Sequence, residues 1–150
     1  MVRSDRISAG GAPSLLWYLD ASAAAKLVVA EPESDALRAW CADLVGRHER
    51  AVVSDLTRAE VLRVARRSPD DLLSPAHRIL TEFEIVGVPP EAFDRAATIH
   101  PPTLRTLDAL HLAAALQLGA ALAGVVTYDQ RLADAADLQG MARTAPGRDR

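Results

Sequence analysis

The sequence predicts a three-layer α/β domain with a mostly parallel central sheet of four to five strands flanked by helices. Two features carry that prediction. Short apolar runs at residues 15–19, 51–53, 85–88 and 122–126 alternate with longer stretches of helical periodicity, the pattern of strand–helix–strand units that feed a parallel sheet. The runs are also near-continuous in apolar character, as strands covered on both faces are. With 150 residues, 49% hydrophobic and 25% charged, the chain suits one globular domain able to bury roughly two-thirds of its unfolded surface.

Residues 1–14 contain Arg3, Arg6, Gly10, Gly11 and Pro13 and are expected to form a flexible leader. The apolar run that follows has five residues before Asp20, too few for a signal-peptide core. That run is the first strand, and a short helix over 22–30 follows. Pro32 opens the next helix, with Glu33 and Asp35 favouring its amino end. Leu37, Trp40, Cys41 and Leu44 share one face of it, so Trp40 and Cys41 read as packing residues, and Gly46 is expected to stop it. As the single cysteine, Cys41 excludes an internal disulfide framework and fits a reducing, cytoplasmic setting.

The second strand, 51–53, turns through Ser54-Asp55-Leu56-Thr57 into a helix carrying Glu60, Val61, Val64 and Ala65. Thr57 and Glu60 match a T-x-x-E capping box. Ser68-Pro69-Asp70-Asp71 forms a turn, and Ser74-Pro75 caps and starts a helix reaching about Phe83. These two helices are expected to protrude as a hairpin. The third strand, 85–88, stops at Pro89-Pro90, and a helix presenting Phe93, Ala96, Ala97 and Ile99 ends at His100-Pro101-Pro102. A long helix runs from Thr106 to Leu116, with Gly119 as its left-handed terminator. The fourth strand, 122–126, is followed by a helix over 132–136 and a short strand over 142–144. The domain proper spans 15–146, and 147–150 reads as a frayed tail. Residues 109–126 are apolar but contain His111, Gln117 and two glycines and have an acid at each flank, so no membrane span is expected.

A net charge of −3 and a pI near 5.8 exclude a protein that coats nucleic acid by bulk electrostatics. A nucleic-acid enzyme would need a bound cation and a few local arginines as its phosphate handle. Four acids suit that role. Asp20 and Asp129 directly follow strands, Glu60 lies in the first turns of a helix after a strand, and Asp108 opens the long helix. In an open parallel sheet, strand ends and helix starts gather along the edge where ligands bind. Crowded carboxylates repel one another, and a divalent cation holds them together. Oxygen-only ligands favour Mg2+ or Mn2+ over zinc, and such an ion promotes phosphodiester hydrolysis by polarising a phosphoryl oxygen and activating water.

Each acid also has a structural explanation. Asp20 could cap the helix behind it, Glu60 could complete the capping box, and Asp108 could serve only the helix dipole. His111, three residues after Asp108, is either a ligand or base, or a packed, hydrogen-bonded imidazole. Its apolar neighbours favour the packed form. Arg58, Arg63, Arg66 and Arg67 form the densest basic cluster, with Arg67 nearly above Glu60 on the helical wheel; they either track an RNA phosphate or form a solvated, ion-paired surface. No Gly-rich loop follows the first strand, against a dinucleotide fold. A phosphatase with an Asp20 nucleophile would want an acid where Ser22 stands.

Four segments, Leu19-Asp20-Ala21-Ser22-Ala23 with Lys26-Leu27, Ser54-Asp55-Leu56-Thr57-Arg58-Ala59-Glu60, Leu107-Asp108-Ala109-Leu110-His111-Leu112-Ala113 and Val126-Thr127-Tyr128-Asp129-Gln130-Arg131-Leu132, resemble the successive motifs of PIN-domain ribonucleases, most of all the VapC-type toxins of toxin–antitoxin pairs. The resemblance implies a PIN-like fold and a cytoplasmic Mg2+- or Mn2+-dependent endoribonuclease, usually a homodimer, neutralised by a cognate antitoxin whose tail fills the groove. It implies Asp20, Glu60, Asp108 and Asp129 as catalytic and metal-binding residues, with Ser22 and Thr127 in support and Asp134 or Asp137 as alternatives to Asp129. Arg63 and Arg67 are candidate substrate contacts. The alternative function is a non-catalytic RNA- or protein-binding module on the same fold.

Overall fold

A computed structural model describes residues 14–148. Within them, β1 (Leu15–Leu19), β2 (Glu49–Ser54), β3 (Glu84–Val86), β4 (Leu122–Val126) and β5 (Arg143–Thr144) form one sheet in the order β3-β2-β1-β4-β5. Every pairing in it is parallel. The helices are α1 (Ala21–Ala25), α2 (Ser34–Leu44), α3 (Asp55–Arg67), α4 (Leu73–Leu80), α5 (Pro90–Ala96), α6 (Thr106–Leu116) and α7 (Gln130–Leu138).

Strand periodicity makes the three layers. Leu16 and Tyr18 of β1 join Val52, Val125, Leu112 of α6 and Leu132 of α7 in one apolar cluster. Leu19 joins Val53, Val126, Leu37 of α2, Val61 of α3 and Leu80 of α4 in the other. Adjacent strand residues thus feed opposite faces, and each fully buried aliphatic side chain contributes about 1.5–3 kcal/mol. On α6, Ala109 through Ala115 are all buried, which explains its apolar character all round. The 109–126 stretch is therefore helix, turn and strand, and no helix of the described residues is long and apolar enough to cross a membrane.

The strand order positions the site. From β1 the chain moves to β2 and β3 on one side, then returns to β4 on the other. After β1 it enters α1, whose Ala23 and Ala24 pack on one face; after β4 it enters α7, whose Leu132, Ala135 and Ala136 pack on the opposite face. Between these diverging exits lies the topological switch point, where open α/β sheets form their crevice.

Several boundaries differ from the sequence-based expectation. The first helix ends at Ala25. After α2 a 3-10 turn, Val45–Arg47, carries the chain past Gly46, and the reversal falls at His48 with φ 56°. The capping box does not form: Ser54 caps α3 by accepting from Thr57 N at 3.3 Å, while Thr57 Oγ1 donates to Leu19 O at 2.9 Å. Strand pairing persists through Ser54, opposite Val86, so the helix starts a turn earlier. The fourth helix begins at Leu73, before Ser74-Pro75, and ends at Leu80. Helices α3 and α4 do not protrude, because Ala65, Ala76 and Leu80 are buried in the core. Gly119, at φ 57°, opens a 3-10 turn beyond the Gln117 cap.

The expected frayed tail is docked as far as Arg148. Tyr128 OH donates to Pro146 O at 2.7 Å, and Arg148 donates to Glu33 at 2.5 Å and to Tyr128 O at 3.1 Å. The expected leader, apart from Ser14, and residues 149–150 lie outside the described residues.

Gly124 sits where β4 is crossed closely. A Cβ there would lie 2.6 Å from Ala142 O and 2.6 Å from Trp17 Cζ3. Gly124→Ala should lower the unfolding free energy by about 1–3 kcal/mol through overpacking, seen as a lower urea midpoint. An unchanged midpoint would contradict this packing.

Candidate functional site

Asp20 leaves β1 at the switch point with 3% exposure. It caps α1, Oδ1 accepting from Ala23 N at 3.0 Å and from Ser22 Oγ at 2.7 Å. Its Oδ2 accepts from Thr127 Oγ1 at 2.5 Å, across the seam to the end of β4. Ser22 Oγ accepts from Tyr128 N at 2.9 Å, and Thr127 Oγ1 accepts from Asp129 N at 3.1 Å. Two hydroxyls therefore hold the carboxylate and the loop after β4 in one network. Burial raises the Asp20 carboxyl above its ordinary range, opposed by the hydrogen bonds from Thr127, Ser22 and Ala23. The side chain is a helix cap and stands at the seam of β1 and β4.

Asp108, half-buried, is the third residue of α6. Burial raises its carboxyl, and the charges of Asp129, Asp20 and Glu60 raise it further. Asp108 thus feels three carboxylates that lie far from it in sequence or on other elements. Glu60, freed of a capping role, has a side chain 30% exposed and its Oε1 lies 3.2 Å from His111 Nε2. Asp129 caps α7, accepting from Arg131 N at 2.9 Å and Leu132 N at 3.4 Å. The alternatives to it are engaged elsewhere: Asp134 accepts from Gln130 at 2.7 Å, and Asp137 is gripped by Arg143, which lowers its carboxyl.

Among the described residues, no three His, Cys, Asp or Glu side chains are already gathered tightly enough to hold a metal ion. The donor chemistry nevertheless fits a hard divalent cation, since the donors are carboxylate oxygens and their repulsion is what such an ion relieves. Cys41 lies apart, its thiol raised to about 11 by burial, and is no ligand.

Beside the acids runs a groove of about 590 Å3, lined by Glu60, Arg63, Arg67, Lys26, Tyr128 and Arg148 among others. The structure thus places Arg63 and Arg67 on the face that carries Glu60. Three lining residues had no role in the sequence analysis. Lys26, 5% exposed, pairs with Glu31 and, at 2.9 Å, with Glu33. Burial alone would lower its ammonium, but those two hydrogen bonds hold it above its usual range. Lys26 and Arg148 also lie 4.7 and 5.4 Å from the Tyr128 ring centroid. Only the Lys26-Leu27 pair in the first motif hinted at this; the partners are too distant in sequence to be read there. His111 is packed, 2% exposed, as its neighbours suggested.

A family model described as PIN domain matches residues 17–138. The chain is 46% identical over 129 residues to Ribonuclease VapC46 of Mycobacterium tuberculosis (strain ATCC 25618 / H37Rv), covering 86% of this chain and 96% of that protein. It is 40% identical over 131 residues to Ribonuclease VapC47 of Mycobacterium tuberculosis (strain CDC 1551 / Oshkosh), covering 87% and 96%. A crystal structure of VapBC2 from Rickettsia felis bound to a DNA fragment from their promoter matches with a TM-score of 0.66 at 12% identity, covering 88% of this chain and 99% of that one, and shows a shared fold.

Asp20 and Asp108 bind protons more tightly folded than unfolded. Their contribution to stability is full below the unfolded carboxyl value of about 3.9 and is lost as pH rises through their raised folded values. In chelator-treated protein, the contribution of these carboxyls to the melting temperature should fall as pH rises above about 4, and Asp20→Asn should flatten that fall. A melting temperature that rises over this range in wild type but not in Asp20→Asn would contradict the sign of the shift.

Proposed function

Because the chain belongs to the PIN-domain family, and within it to the VapC-type ribonucleases, we propose that Asp20, Glu60, Asp108 and Asp129 form the catalytic metal site of an endoribonuclease toxin. The toxin cuts RNA phosphodiester bonds and is neutralised by a cognate antitoxin. The observation that best supports this site is the buried Asp20 carboxylate, held by Ser22 and Thr127 at the seam of β1 and β4 and, with Glu60 and Asp129, among the charges that raise the Asp108 carboxyl.

Asp20 and Asp108 hold Mg2+ or Mn2+, with Glu60 and Asp129 completing the acidic set. When bound, such an ion polarises a phosphoryl oxygen and lowers the pKa of water so that it attacks at neutral pH. The chain supplies the positioning. Thr127 and Ser22 restrain both oxygens of Asp20, so its orientation is set before any ligand arrives. Arg63 and Arg67 line the groove beside Glu60 and contact RNA phosphates flanking the scissile one. With 4% aromatic residues, substrate choice rests on RNA shape and backbone contacts more than on base stacking. The antitoxin offers a cationic, arginine-bearing segment to the same crevice, and the active form is a cytoplasmic homodimer. A non-catalytic binding module is not favoured, since the relatives that the chain matches over 96% of their length are named ribonucleases.

The test is incubation of the purified protein with total RNA in Mg2+, Mn2+ or chelator, followed by mapping of new ends. Cleavage should require the cation. Asp20→Asn should cut at least about 10³-fold more slowly, the several kcal/mol that a metal site contributes, with an unchanged circular dichroism spectrum. Wild-type cleavage by that variant would overturn the assignment.

A further inference from the structure

We infer that His111 is a positioning residue for Glu60, held by a buried hydrogen-bond chain that runs from Ser54 through Tyr18 to the imidazole. The inference rests on the proposed place of Glu60 among the metal-binding acids.

The chain has four links. Thr57 N donates to Ser54 Oγ at 3.3 Å, Ser54 Oγ and Tyr18 OH lie 2.7 Å apart, Tyr18 OH and His111 Nδ1 lie 2.7 Å apart, and His111 Nε2 meets Glu60 Oε1 at 3.2 Å. Ser54, Tyr18 and His111 are 0%, 1% and 2% exposed, so only the last member reaches the crevice.

The partners suit one proton order. A carboxylate only accepts, so Nε2 carries the proton that faces Glu60. With Nε2–H facing Glu60, the single-proton tautomer leaves Nδ1 as the acceptor for Tyr18 OH, and burial, which raises the phenol above its usual range, favours the phenol as that donor. Tyr18 in turn accepts from Ser54, whose oxygen accepts from Thr57 N. Each member donates forward and accepts from behind, the arrangement in which hydrogen bonds polarise one another.

A histidine bonded at both nitrogens has one tautomer and one ring orientation. Glu60 needs such a partner. Its flexible side chain projects from α3 and is 30% exposed, so ordering it costs rotamer entropy unless something holds it. The hydrogen bond from a ring anchored in β1, α3 and α6 does so, as partners behind a metal-binding carboxylate do.

The test compares His111→Gln, whose amide nitrogen falls where Nε2 stands, with His111→Asn, whose amide reaches only the Nδ1 position. Mn2+ affinity is measured calorimetrically without RNA, kcat and KM with RNA, and folding by thermal melting. His111→Asn should weaken Mn2+ binding and lower kcat by about 10–100-fold with little change in KM, and His111→Gln should restore most of both. Nitrogen-15 spectra of the wild-type ring should show the Nε2–H tautomer. An Nδ1–H tautomer, equal losses in both variants, or wild-type behaviour of a folded His111→Asn protein overturns the inference. Glu60→Gln measured alongside separates the two layers: wild-type Mn2+ affinity and cleavage there overturn the site assignment, whereas an impaired Glu60→Gln beside an unimpaired His111→Asn overturns only the positioning role. Should His111→Asn not fold, Tyr18→Phe decides in its place, with a severalfold weaker Mn2+ affinity expected and unchanged affinity overturning the inference.

Discussion

A carboxylate withdrawn from water at the end of a central strand is the constraint around which this molecule is arranged. An ionised group buried without partners costs several kcal/mol, and Asp20 is 3% exposed. Its compensation comes from Ala23 N, Ser22 Oγ and Thr127 Oγ1. The last lies 107 residues away, so the network requires β1 and β4 to lie side by side with their carboxyl ends level. Their register, Leu19 opposite Val126, supplies that alignment. The same adjacency makes the topological switch point, so the bond that satisfies the charge and the crevice beside it have one origin.

The surrounding charges leave the acidic space uncompensated. Lys26 and Arg148, the basic groups near Tyr128, are engaged with Glu31 and Glu33, which hold them as one wall of the groove. Asp108 meanwhile feels three like charges. Lys26 and Arg148 therefore brace the groove wall, while Asp108 keeps the repulsion of the other carboxylates.

The layered architecture was legible because it rests on local pattern: apolar runs of strand length, an alanine-rich buried helix, and acids at strand ends. What escaped depends on contacts between distant segments. Ser54 and Thr57 are both competent caps, and the choice falls to Ser54 only because β3 extends the pairing of β2 to that residue and Leu19 O takes the Thr57 hydroxyl. The docking of Pro146 and Arg148 depends on Tyr128 and Glu33, the latter 115 residues distant. For His111, the apolar neighbours announced a packed ring, but nothing local could name Tyr18 and Glu60 as the partners of its two nitrogens.

Whether Asp20 is a cap or a site residue is a question the geometry dissolves. A residue between a strand and a helix must satisfy the helix's first amides, and Asn or Ser would do so about as well as Asp. Burial makes the charged side chain the costlier of these, because a neutral amide carries no ionic desolvation penalty. Asp therefore stands where capping alone would favour its neutral isostere. The cap restrains Oδ1, and Thr127 restrains Oδ2, so the rotamer is fixed from both sides. Capping is thus the means by which the Asp20 carboxylate is oriented, and a charge stands where a neutral cap would cost less.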